Sequence, residues 1–332
     1  MKTLSHCPVC GNENTRVIGS KTSRRIRNPT DLRDGGANTI LEVVLGVDEV
    51  RQETKWCDCC SHMFVDPTFD EAELRRMYSG ETRTAMKAAN RQVEQASGTS
   101  WAEFHGMTGS QQSRRRELSL DRRPKDLRRF LDKTLSGMSS VTKVLDVGGG
   151  DGSLLKRAFP HSQICVFDLN PQKTDSDVLY LTSTEEAVAA APYEFVGSFH
   201  TFEHIPTPVS ALESFLPFMR EGTLLCIEVP LEYVGPFMKG AGLPLGGHIN
   251  CFTRNSLNHL ANSCGFATIR CQSANAWYGE TRLPVIRGLY RFGGGEKKVH
   301  LCRNRRRSPS WVWEFAGDLC TKVAGKISNR FY

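Results

Sequence analysis

From residue 141 onward the chain alternates between two hydrophobic periods. Short β-branched and aliphatic runs (Val144-Leu145-Asp146-Val147, Ile164-Cys165-Val166-Phe167, Val178-Leu179-Tyr180-Leu181, Tyr193 to Phe199, Leu224 to Pro230) are separated by stretches with helical spacing. Continuous apolar runs suit strands buried on both faces, and strands alternating with helices imply a parallel sheet with covered faces. Thr184 to Ala191 reads as a helix capped by Thr184 or Ser183, and Thr253 opens a helix through Leu257, Leu260 and Cys264 that Gly265 ends. A strand at Phe266 to Cys271 follows, and a last one is expected at Lys298 to Arg303, after the Gly293-Gly294-Gly295 turn.

Upstream, residues 68 to 140 read mostly as helix. Thr68 to Tyr78 is acid-rich at its start, and Arg122 to Leu135 presents Leu127, Phe130, Leu131 and Leu135 on one face. The polar segment 79 to 121 between them reads as loops that close over a site or as a linker. Thr39 to Val47 is expected to be a strand. At the far end Trp311, Val312, Phe315, Ala316, Leu319, Val323, Ile327 and Phe331 recur at three- and four-residue steps, an apolar helix stripe with Pro309 at its start and Ser308 or Ser310 as cap.

Composition allows a main domain plus a smaller module, since 332 residues with 39% hydrophobic content can bury a core. The net charge of +7 is local: residues 114 to 133 carry nine basic against four acidic residues, residues 296 to 332 carry nine against three, and the remainder sums to −4. No interleaved aromatic motif accompanies these patches, so they read as solvated helix faces and nucleic acid is not the expected partner. The first residues hold no apolar leader and no run approaches eighteen apolar residues, which implies a cytoplasmic protein. Lys322, Lys326 and Arg330, with Arg303 and Arg305 to Arg307 before the stripe, leave two readings of the C-terminal helix. Docking on the core or on a second subunit is preferred; peripheral contact with the inner face of a membrane is the alternative.

Twelve cysteines in such a chain point to a reducing compartment and a metal site. Cys7-Pro8-Val9-Cys10-Gly11 is one knuckle and Cys57-Asp58-Cys59-Cys60 the other. Two Cys-x-x-Cys pairs imply structural zinc with a closed shell of Cys7, Cys10, Cys57 and Cys60. Cys59 beside Cys60 would strain the chelate, and His6 and His62 are less economical ligands. Most other cysteines sit singly among apolar residues, as small buried hydrophobes do.

The run Val144 to Gly152 carries the main chemistry. Gly148, Gly150 and Gly152 follow G-x-G-x-G, one position short of the dinucleotide fingerprint, and Asp146 at the strand's end suits a ligand with an ammonium better than a pyrophosphate. Asp168 ends the next strand, where a ribose diol needs an acceptor. These residues resemble the class I S-adenosylmethionine-dependent methyltransferases, whose first motif matches residues 144 to 152 and whose ribose-binding acid matches Asp168. The resemblance implies a Rossmann-like, seven-stranded, mostly parallel α/β sheet with an antiparallel last strand. It also implies that Asp146, Gly148 and Gly150 cradle the methionine end of S-adenosylmethionine, Asp168 its ribose, and His200 with Thr201 its edge.

The two knuckles ahead of this core resemble the zinc-binding N-terminal domain of the sugar C-methyltransferases and polysaccharide-cluster methyltransferases, with Ser61 where that group commonly has glycine. His200 to Pro208, Glu228-Val229-Pro230 and Gly247 to Thr253 are similar to the same group. The resemblance implies His248 as a catalytic base; the alternative is that, unassisted, it only shapes the pocket. Its helper acid and tyrosine are missing, since residue 247 is Gly and residue 245 is Leu, which makes O-methylation as credible as C-methylation. His204 is the first candidate base from the residues themselves, a group that titrates near neutrality on a loop facing the site, and His248 the second; the alternative for His204 is that it only holds the loop. Trp277 and Tyr278 either line the acceptor pocket or pack as a strand-end pair.

The expected organisation is a zinc ribbon over 1–67, a helical connector or lid over 68–140, the methyltransferase core over 141–304 and a basic amphipathic helix over 305–332. The expected reaction is methyl transfer from S-adenosylmethionine to a sugar hydroxyl or carbon in a nucleotide-linked or surface polysaccharide precursor, the partner being a small-molecule or glycan acceptor. The alternatives are an RNA or protein methyltransferase gripping its substrate through the zinc module and Arg114-Arg115-Arg116, and a non-catalytic binding module that senses cofactor.

Overall fold

A computed structural model describes residues 1–26, 35–97, 109–134, 141–278, 281–293 and 318–322. Near the N-terminus, strands β1 (Thr15–Arg24), β2 (Glu49–Cys57) and β3 (Met63–Asp66) pair antiparallel. The two knuckles are the turns that lead into β1 and join β2 to β3. Thr39 to Val47, expected as a strand, is helical instead: Gly35–Thr39 and Ile40–Leu45 form consecutive helical segments. Ile40, Leu41 and Val44 are buried together, a spacing that a helix puts on one face and a strand would split between two.

The core sheet is built from β4 (Lys143–Val147), β5 (Gln163–Phe167), β6 (Val178–Leu181), β7 (Tyr193–Phe199) and β8 (Met219–Pro230), then, after the two-residue β9 (Asn250–Cys251), from β10 (Phe266–Tyr278) and β11 (Thr281–Phe292). Seven strands lie in the order β10-β11-β8-β7-β4-β5-β6. The pairs among β4 to β8 are parallel, whereas β11 runs antiparallel to both β8 and β10. The class I methyltransferase fold is therefore present. The antiparallel strand is β11; the run Lys298 to Arg303, expected to supply it, lies outside the described residues.

β4 and β7 are neighbours at the centre, and the chain leaves them toward opposite sides of the sheet. That reversal opens a crevice at their C-terminal ends, where ligands of open α/β sheets bind. Helix Arg254–Ser263 opens on a capping box, Thr253 Oγ1 accepting from the Ser256 amide, and it ends before Gly265 in a left-handed conformation.

The polar segment expected as loops is mostly helix, Gly80–Ser97 and Gly109–Asp132, the second carrying Pro124 within it. Leu127, Phe130 and Leu131 bury this second helix against one face of the sheet. Of the C-terminal stripe, residues 318–322 are described and are helical; the rest lies outside the described residues. Asp318 is buried there, accepting a hydrogen bond from Tyr233 Oη at 2.6 Å and another from Ser273 Oγ. No helix among the described residues is long and apolar enough to cross a membrane.

β9 joins the two sheets. It pairs with β3, Met63 opposite Cys251 and Phe64 opposite Asn250, and so completes a four-stranded N-terminal sheet, β1-β2-β3-β9, with residues from the core sequence. One hydrophobic core runs from Cys7 and Trp56 of the N-terminal part to Val147, Val229 and Leu257 of the main part.

Candidate active site

The turn after β4 requires its glycines. Gly148, Gly150 and Gly152 all have positive φ, at 70°, 59° and 73°. A Cβ on Gly148 would lie 2.4 Å from Thr201 Oγ1, so the loop after β7 packs directly on this turn. The space facing Gly150 is open, which lets a ligand approach its backbone. Asp168 spans the turn from the neighbouring strand: one carboxylate oxygen accepts from the Gly150 amide at 3.0 Å, the other from the Asn170 amide at 2.8 Å. Each oxygen keeps a further lone pair for a diol. Leu169 beside it is 57% exposed, an apolar surface where a nucleobase would lie.

Asp146 lies beneath the turn, 2% exposed, with Oδ1 lacking a hydrogen-bond partner. Burial pushes its carboxyl up to about 8, against the opposing pull of Arg123. A ligand ammonium would satisfy such a group.

The loop after β7 gathers three histidines around one acid. His200 adopts a left-handed conformation, φ 58°, and the 3-10 turn Phe202–His204 follows it. Glu203, 1% exposed, points Oε1 at His200 Nδ1 (3.3 Å), His204 Nε2 (4.0 Å) and His248 Nε2 (3.9 Å). The rings of His204 and His248 meet edge to face at 4.7 Å, and Tyr78 approaches His204 at 6.2 Å. Burial lowers His204 below the ordinary imidazole value. Burial also acts to lower His200 and His248, but carboxylates outweigh it and raise both: Glu203 and Glu228 at His200, Glu232 at His248.

The acid that seemed missing beside His248 comes from elsewhere in the chain. Glu232, just past β8, places Oε2 2.5 Å from His248 Nδ1. Behind His200 stands a buried ionic group: Glu228 at the end of β8 meets Arg287 of β11, Arg123 of helix Gly109–Asp132 and the Tyr278 hydroxyl. Tyr278 therefore packs as part of this group, with its ring 4.9 Å from that of His200, and the guanidinium groups of Arg122 and Arg282 lie over the Trp277 ring at 4.6 and 4.5 Å.

β9 sets the position of His248. The Ile249 amide donates to Glu203 O at 3.0 Å, and its carbonyl accepts from the Val65 amide at 3.0 Å. Asn250 donates to Ile205 O at 2.7 Å and bonds His62 Nε2 at 3.0 Å. Burial holds His62 down at about 4, so it serves as a neutral link between the N-terminal sheet and the histidine loop.

The four expected cysteines converge. Cys7 and Cys60 sulfurs are 3.6 Å apart, Cys10 and Cys57 sulfurs 3.5 Å apart, and all four fall within one cluster that includes neither Cys59, His6 nor His62. Zn–S bonds of about 2.3 Å in a tetrahedron place sulfurs about 3.8 Å apart, so the donor set fits a closed zinc site. Burial raises the Cys7 and Cys60 thiols, so ionising them needs a cation in the cluster. The knuckles match in backbone as well: Gly11 and Ser61 follow the second cysteine of each pair with φ of 68° and 61°.

Sequence reasoning passed over Glu203, Glu228 and Glu232. The spacing of His200, Glu203 and His204 was a usable signal for the first, because residues three apart share one face of a tight turn. The basic groove lined by Lys125, Arg128, Arg129 and Arg157 continues to Val141 and Ser162, before β4 and β5, at the opposite end of the sheet from these groups.

Residues 114–270 match the family described as Methyltransferase domain. No curated protein matches the sequence. Among solved structures the chain is similar to the plantazolicin methyltransferase BpumL in complex with SAH, with TM-score 0.41 and 11% identity over 66% of this chain and 94% of that one. It is also similar to the N-methyltransferase NodS from Bradyrhizobium japonicum WM9 in complex with S-adenosyl-l-homocysteine, with TM-score 0.37 and 14% identity over 56% of this chain and 99% of that one. With a methyltransferase domain over 114–270 and the glycine turn of that domain at the switch point of its sheet, the chain is an S-adenosylmethionine-dependent methyltransferase.

Proposed function

We propose that this enzyme methylates a hydroxyl or a carbon of a sugar in a nucleotide-linked or surface polysaccharide precursor. The observation that carries this reading is the His248–Glu232 pair facing Glu203 and His204 beside the glycine turn, polar groups placed to bind an acceptor and promote loss of its proton next to a cofactor site. S-adenosylmethionine, when bound, supplies an electrophilic methyl carbon on its sulfonium sulfur. Asp168 holds the ribose diol with its free lone pairs, the open face of Gly150 admits the cofactor chain, and Asp146 answers the ammonium. Thr201, packed on Gly148 and donating to Val147 O at 3.3 Å, fixes the floor beneath the methionine end. Glu232 holds the His248 tautomer and orients its ring toward the acceptor side. Cys7, Cys10, Cys57 and Cys60 hold a structural zinc that stabilises the sheet to which β9 belongs.

Calorimetry with purified protein tests the cofactor half. Asp168→Ala is expected to weaken S-adenosylmethionine binding by about 1–3 kcal/mol, the loss of a charge-assisted contact. Unchanged affinity in a folded variant would remove Asp168 from the site. Mass spectrometry of glycans from cells with and without the gene product tests the acceptor: a methylated sugar that disappears with the protein supports the reading, and identical glycan profiles refute it.

A further inference from the structure

We infer that Glu203, His204 and His248 form a second metal centre, which takes a divalent first-row transition cation at the mouth of the active site. One donor atom from each of the three lies within 4.8 Å of the others. Glu203 Oε1 is 4.0 Å from His204 Nε2 and 3.9 Å from His248 Nε2. A cation with ligands at about 2.1 Å holds its donors roughly 3 Å apart, so an inward shift of about 1 Å closes the shell.

A second, independent observation is the state of Glu203. It is 1% exposed, and neither carboxylate oxygen accepts a hydrogen bond of good geometry. A buried carboxylate in that state is costly and calls for a charge in front of it. His200 Nδ1 stands 3.3 Å away on one side, and the space between His204 and His248 is the other.

The surrounding residues prepare the ligands. Glu232 at 2.5 Å from His248 Nδ1 accepts the proton of that nitrogen and leaves the Nε2 lone pair directed at Glu203, the carboxylate–histidine arrangement that supports metal ligands. The Ile249 amide bonded to Glu203 O locks the histidine segment against the acid. His204 and His248 remain 31% and 24% exposed, so the side away from Glu203 faces the mouth. Two imidazoles and one carboxylate leave coordination positions open for acceptor oxygens. This donor set also differs from the cysteine cluster, whose thiolates select softer ions.

The consequence for catalysis rests on the reading given under Proposed function. A cation here binds the acceptor through oxygen and lowers the pKa of its hydroxyl, whose proton leaves to solvent at the open side. The oxygen then gains its bond to the methyl carbon as the carbon–sulfur bond breaks, with the electron pair passing to sulfur. His248 thus acts by holding the cation, and acceptors with oxygen at the methylated position are selected.

The test uses the full chain with zinc retained on the cysteines and the second site cleared by dialysis against a chelator. Co2+ is titrated in by calorimetry with visible spectra in parallel. One Co2+ per chain without a thiolate-to-cobalt charge-transfer band is expected. Glu203→Gln and, separately, His204→Asn should each weaken it at least tenfold while zinc content and melting behaviour are kept. Glu232→Gln should weaken it roughly tenfold, as loss of a ligand's supporting carboxylate does. Absence of Co2+ binding, or binding unchanged in both ligand variants, overturns the inference. S-adenosylmethionine affinity measured on the same samples separates the two readings. Cofactor binding without Co2+ binding sinks only the cation site, whereas loss of cofactor binding in the wild-type chain sinks the proposed reaction.

Discussion

Replacing Arg287 by Met should destabilise the enzyme by about 3–5 kcal/mol, because it leaves a buried carboxylate without its main partner. Glu228 and Arg287 are 1% and 2% exposed, and Arg287 Nε donates to Glu228 Oε2 at 2.6 Å. Arg123 at 3.2 Å and Tyr278 Oη at 3.3 Å hold the other oxygen and would remain. Burial pushes the Glu228 carboxyl up, and Arg287 foremost pulls it well below the usual carboxylate range. In the wild type this depressed value contributes stability that is complete above the unfolded value of about 4.3 and is lost as pH falls through the folded one. In Arg287→Met burial dominates, so the folded value rises and the variant loses stability as pH increases toward 7. The gap between the two proteins is therefore widest at pH 7 and narrows on acidification. Urea unfolding followed by tryptophan fluorescence at several pH values measures it. Adding Glu228→Leu should restore most of the loss by removing the stranded charge. A cost under about 1 kcal/mol, or one independent of pH, would refute this account of the pair.

Two further outcomes concern the knuckles. Cys57→Ser should lose zinc while Cys59→Ser keeps one zinc per chain, as elemental analysis would show; the reverse pattern would mean a different ligand set. Ser61→Gly should stabilise the fold by about 1 kcal/mol, since Ser61 holds a left-handed conformation that glycine adopts freely, and a lower denaturation midpoint would contradict this.

The strands β4, β5 and β7 were legible because each is a short apolar run buried on both faces, as in Val144-Leu145 and Ile164-Cys165-Val166. β6 and β8 were legible because each holds a short apolar run, although Leu179 of edge strand β6 is exposed and β8 begins with exposed residues. The long hairpin β10–β11 was only half legible: residues such as Gln272, Ser273 and Asn275 break any alternation in β10, and its inner positions are only partly covered. Helix Gly80–Ser97 was read as loop because its apolar face is narrow and its residues are mostly polar. In the site, Asp146, Asp168 and the four cysteines announce themselves by local spacing. Glu232 does not, because it reaches His248 only through the path of the chain after β8, sixteen positions away. The neighbour Gly247 offers no acid, and the fold supplies one from another segment.

The short strand β9 makes the cysteine cluster and His248 parts of one mechanical unit. From Cys60 the backbone runs through Ser61 and His62 into β3, which pairs with Asn250 and Cys251; His248 lies two residues before Asn250. Oxidation of the knuckle thiols would therefore reach His248 directly, through that ladder. A chain cut to begin at residue 68 would leave β9 without its partner strand.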